Sequence, residues 1–108
     1  MVLIVGGYKL TADEIAAWFR LRNLAPPRGN VTIYFNRCLR QAGIRDATLL
    51  CCVYQEEVIF VVVTDDGQGT SRRYQPFEES ERAREIKSIM GLGTVGFITV
   101  VNPFDDDE

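Results

Sequence analysis

Val58-Ile-Phe-Val-Val-Val-Thr64 is an unbroken apolar and β-branched run, and Asp65-Asp-Gly-Gln-Gly69 follows it directly. Seven such residues have the length and composition of a strand, not of a helix. The acidic, glycine-punctuated segment behind them predicts a turn over 65–69, with Asp bonding its own backbone and Gly supplying positive φ. Upstream, Thr48–Tyr54 is a second apolar run, separated from the first by Gln55-Glu56-Glu57. Two neighbouring runs of this kind predict an antiparallel pair covered on both faces at its centre. Ser71–Gln75 follows as a shorter, more polar edge strand.

Working outward, Thr11 and Glu14 form a capping box, with Leu10 and Ile15 at the flanking staple positions. Ile15, Trp18 and Phe19 then recur at helical spacing, which predicts a helix over 12–22. Asn23–Asn30, with Pro26, Pro27 and Gly29, is a loop. Asn30 caps a second helix, over 31–42, in which Val31, Tyr34, Phe35, Cys38, Leu39 and Ala42 make one apolar stripe ended by Gly43. Pro76–Met90 reads as a third helix, with early acids, Lys87 near its end and Gly91 behind it. Val2–Val5, ended by Gly6-Gly7, reads as a short buried strand, and Thr94–Val101 as the final strand. The N-terminal one could pair in parallel with a neighbour, because two helices intervene.

The expected fold is therefore α+β: a mainly antiparallel sheet of four to five strands with helices packed on it, in the order β-α-α-β-β-β-α-β. The chain has 108 residues, enough for one domain, expected over 1–104. Residues 105–108 form an acidic tail expected to be disordered. The net charge is −3, yet four of the fifteen acids lie in that tail, so the body holds 11 acids against 12 bases. A near-neutral body lacks the clustered cation charge of a strong nucleic-acid binder.

Histidine is absent. That excludes Ser-His-Asp and Cys-His catalysis, imidazole metal sites and histidine pH sensing. The three cysteines, Cys38, Cys51 and Cys52, follow neither a zinc nor a C-x-x-C spacing and read as buried thiols of a reducing compartment. No basic, apolar leader and no membrane-length apolar run is present. The expectation is a soluble, intracellular chain without cofactor or metal, leaning away from an enzyme.

The leading functional expectation is a small binding module acting through protein–protein contacts, including self-association. Its surface is placed on the edge segment at Arg72, Arg73 and Tyr74. An alternative rests on Asp65, Asp66, Gly67 and Gly69, with Gly91 and Gly93 further on. Asp65-x-Gly67-x-Gly69 resembles the D-x-G-x-G box of the histidine-kinase-type (GHKL) ATPases, and Gly91-Leu92-Gly93 resembles their following glycine box. The resemblance implies that the Asp meets an adenine amino group, that glycine amides approach phosphates, and that Asn36 stands near the metal-binding Asn of that family. The chain departs from the pattern in having no acid on the 31–42 helix. A weaker third reading is nucleic-acid binding through Arg72, Arg73, Arg82 and Arg84.

Overall fold

A computed structural model describes residues 2–25, 29–70, 74–93, 95–101 and 103. Its elements are β1 (Val2–Leu10), α1 (Ala12–Leu21), α2 (Val31–Gln41), β2 (Thr48–Tyr54), β3 (Glu57–Gly69), α3 (Glu81–Met90) and β4 (Phe97–Val101). The fold is α+β. The four strands form an open antiparallel sheet in the order β2-β3-β1-β4, so the first strand made is a central one.

The strand alternation divides the sheet into two unlike faces. Tyr8, Leu10, Leu49 and Val62 point to one face, where Ile15, Trp18, Phe19, Phe35, Leu39, Ala83, Ile86 and Met90 of the helices cover them. Trp18 stacks on Phe35 with ring centroids 4.4 Å apart, and its Nε1–H donates to the Met90 carbonyl at 3.0 Å. Arg22 donates to the same carbonyl and lies 4.1 Å above the Trp18 ring, which ties the end of α3 to α1.

The other face holds Val5, Cys52, Ile59, Val61 and Val100, all buried, with Leu3, Leu50, Tyr54, Val63 and Ile98 around them. Every one of these residues belongs to a strand. The sheet covers this face by coiling on itself. In a flat sheet β2 and β4 would be about 14 Å apart, three strand spacings; here Cα atoms of the two come within 8 Å. The Val53 N–H donates to the Pro103 carbonyl at 2.8 Å across the gap.

Capping chemistry set out above holds. The Thr11 side chain accepts from the Glu14 N–H and the Glu14 carboxylate accepts from the Thr11 N–H. Asn30 caps α2 through the Ile33 N–H.

Other expectations change. Segment 65–69 is no turn: β3 runs through it, paired with Val2–Gly6. Neither Gly67 nor Gly69 has positive φ. The register slips by one residue at Thr64, a β-bulge opposite Gly6-Gly7. Gly6-Gly7 does not end β1, which continues to Leu10. A Cβ on Gly7 would lie 2.0 Å from the Val62 carbonyl oxygen, so the glycine permits close strand approach inside the sheet. β1 is antiparallel to both neighbours, against the expected parallel option.

The third helix starts later than expected, at Glu81. Its cap is Ser80, which accepts from the Ala83 N–H. Residues 76–80 are drawn out instead by tertiary contacts. The Phe77 N–H donates to Thr99 Oγ at 2.9 Å, and Tyr8 donates to Glu79 at 2.7 Å. Most of the expected edge strand at 71–75 lies outside the described residues; Tyr74 and Gln75 belong to no strand. The 105–108 tail also lies outside them.

Candidate functional site

The sheet has two outer edges, and their backbone groups are treated differently. On β2, the outward-facing residues are Leu49, Cys51 and Val53, because the alternate residues pair with β3. Asn36 of α2 sits against Leu49. Its Oδ1 accepts from the Leu49 N–H at 2.7 Å and its Nδ2 donates to the Leu49 carbonyl at 3.1 Å. One side-chain amide thus replaces the peptide of a neighbouring strand. Pro103 occupies the Val53 N–H. Arg40 fixes the approach to this strand, donating to the carbonyls of Ile44 and Ala47 and to Thr48 Oγ.

On β4 the Lys9 N–H donates to the Gly96 carbonyl at 3.1 Å, which sets the phase of the ladder. Ile98 and Val100 then bond to β1, while Phe97, Thr99 and Val101 turn their N–H and C=O groups away from it. Among the described residues these outward groups have no backbone or side-chain partner. Toward its C-terminal end this edge approaches β2 through the Val53–Pro103 bond, so the open window is centred on Phe97-Ile98-Thr99. Gly96–Val101 carries no charge and no proline, the two usual means of blocking an edge.

Of the residues singled out in the sequence, Tyr74 is exposed and lies three residues before Phe77, whose backbone is fixed to Thr99. Three residues span at most about 10 Å, so Tyr74 lies within that distance of Phe77. Arg72 and Arg73 lie outside the described residues.

The nucleotide-site residues are distributed between two clefts. Asp65 and Asp66, with Leu3, Leu50, Thr48 and Arg45, line a cavity of about 310 Å³ at the open end of the coiled sheet. Asp65 accepts from the Thr64 hydroxyl at 2.8 Å. Gly67 faces the Phe77 ring, whose Cζ lies 3.5 Å from where a Cβ would stand. Gly91 and Gly93 line a separate cavity of about 420 Å³ beside Glu79, Arg84 and Lys87. The Gly91 N–H bonds to carbonyls at the end of α3, and its positive φ closes that helix. Asn36 is committed to Leu49. Arg82 pairs with Asp46, both exposed, which reduces the positive charge available on α3.

Two buried groups are electrostatically perturbed. Burial, reinforced by the Glu79 carboxylate it donates to, pushes the Tyr8 hydroxyl well above its ordinary pKa. Burial pushes the Cys52 thiol up to about 11, with Cys51 adding to the shift. Neither faces a reacting partner, and both are explained by the core around them. No group of three or more acids or cysteines converges on a metal position among the described residues. No helix among them is long and apolar enough to cross a membrane.

The open β4 edge had one signal in the sequence, the uncharged run Gly96–Val101. What could not be read there is that the opposite edge is partly covered, since the covering bonds join residues 13 and 50 positions apart. No family model matches this chain, and neither the curated proteins nor the solved structures contain a significant match.

Proposed function

We propose that this chain is a non-catalytic binding module that takes up an extended protein segment along the outer edge of β4. The observation that carries this reading is the asymmetry of the edges. β2 is covered by Asn36 and Pro103, whereas the outward N–H and C=O groups of Phe97 and Thr99 have no partner among the described residues. An uncharged β-branched edge is a template for strand addition, in which main-chain hydrogen bonds supply affinity and alternate side chains supply selectivity. The absence of histidine from the sequence and the separation of the titratable groups favour binding over catalysis.

Selection of a displayed random heptapeptide library on the folded protein tests the proposal. Selected peptides are expected to bind wild type and Thr99→Ala alike, and to lose at least roughly tenfold in affinity for Thr99→Pro, which removes an outward N–H. Peptides that bind Thr99→Pro undiminished, or a library that yields no binder, would overturn it.

A further inference from the structure

Resting on that strand-addition reading, we infer that the occupant of the β4 edge is a second copy of this chain, joined antiparallel through β4 about a two-fold axis at Ile98. An isologous contact requires a surface that matches itself. On β4, among the described residues, Phe97, Thr99 and Val101 present outward backbone groups, and the end at Val101 approaches β2 near the Val53–Pro103 bond. Antiparallel pairing within the remaining window sets Phe97 of each copy opposite Thr99 of the other. Each pair exchanges both of its N–H···O=C bonds, so all four outward donors are satisfied at once.

The side chains suit the same register. Ile98 meets its own copy on the concave face, as an apolar pair at the short spacing of a non-hydrogen-bonded site. Phe97 and Thr99 meet on the helix-covered face. A strand carrying lysine or glutamate would set like charges opposite each other in any two-fold pairing, and Gly96–Val101 carries none. The result is a continuous eight-stranded sheet. A contact of four backbone bonds and a few side chains is smaller than a stable interface, so the dimer is expected to be weak.

Sedimentation and light scattering over a concentration series test this. Wild type and Thr99→Ala are expected to approach twice the monomer mass at high concentration, while Thr99→Pro stays monomeric. Thr99→Ala loses the hydroxyl bonded to Phe77 but keeps the backbone N–H, so it separates damage to that contact from loss of the edge. Amide exchange on wild type is a second readout that needs no variant. Thr99 and Phe97 amides are expected to be protected at high concentration and to exchange faster on dilution, while β1 and β3 amides stay unchanged. A wild type that remains monomeric at every concentration overturns the second copy but leaves peptide capture standing. A dimer that survives Thr99→Pro, with no concentration-dependent protection at Phe97 and Thr99, overturns the β4 placement and the strand-addition reading together.

Discussion

β2 and β4 are both outer strands of one sheet, yet the β2 edge is met from within the chain at Leu49 and at the Val53 N–H, and no such bond meets β4 among the described residues. On β2, a side-chain amide from α2 imitates a strand at Leu49, and the segment after β4 reaches Val53. On β4, no such device covers Phe97 and Thr99 among the described residues. The difference teaches that an exposed edge is not a necessary by-product of this sheet. The chain covers part of one edge with a helix side chain and leaves the other uncharged and, among the described residues, without a partner.

The largest effect is expected where the closed edge is opened. Asn36→Ala removes two hydrogen bonds and leaves the half-buried N–H and C=O of Leu49 without partners, at a cost of about 2–4 kcal/mol. For a domain of this size the melting temperature falls by roughly 10–20 °C. Asn36→Asp keeps the acceptor but sets a carboxylate against the Leu49 carbonyl, so thermal unfolding should rank it no better than half-way back. Equal melting of wild type and Asn36→Ala would remove the claim that β2 is closed by this amide.

A second test concerns the face shared by both edges, where Cys52 is buried under the coiled sheet. Its folded pKa lies above its unfolded value, so the neutral thiol favours the folded state. That contribution is complete below about pH 9 and is lost as pH rises toward 11. Tyr8 shifts in the same direction and adds a further loss above pH 10. Urea unfolding is expected to show up to about 2 kcal/mol less stability at pH 11 than at pH 8 from Cys52 alone. Cys52→Val should flatten that part of the profile. A profile that does not change with the substitution would mean that the concave core is open to water.

Thiol labelling gives a smaller but more local comparison. Cys51 is exposed on the β2 edge and Cys52, its neighbour, is buried. A disulfide reagent at pH 8 should modify Cys51 first and reach Cys52 only on the timescale of unfolding. Simultaneous labelling of both would place the β2 edge among the locally opening parts of the fold. The smallest expected effect is none: Mg-ATP should leave the melting curve unmoved, because Asp65 and Asp66 line one cleft and Gly91 and Gly93 another. A ligand present at one hundred times its dissociation constant would stabilise the fold by about 2.7 kcal/mol, so a rise would be plain and would restore the nucleotide reading.

Much of the fold is legible in the sequence where the determinants are local. The Thr11–Glu14 capping box, the Asn30 cap and the apolar stripes of α1 and α2 act within a few residues, and those helices begin where the residues indicate. Misreadings fall where distant contacts override local preference. Asp-Asp-Gly-Gln-Gly has turn composition, but pairing with Val2–Gly6 holds it extended, and the Phe77 ring lies against Gly6 and faces Gly67. Pro76 looks like a helix start, yet Phe77 and Glu79 are drawn to Thr99 and Tyr8, and the helix waits for Ser80. The candidate site was little legible. The uncharged run Gly96–Val101 could be read, but the bonds by which Asn36 and Pro103 meet the opposite edge join distant residues.

The place of β1 in the sheet bears on how the protein is made. β1 leaves the ribosome first among the elements, yet its partners are β3, some sixty residues later, and β4, last of all. Its apolar residues, Val2–Val5 among them, must wait until Glu57–Gly69 has been made before one side is paired, and until Phe97–Val101 for the other. During that interval α1 and α2 can form from local contacts, but the strand between them and their future sheet stays unpartnered. Vectorial synthesis therefore leaves this strand open to misassembly until β3 and then β4 have been made.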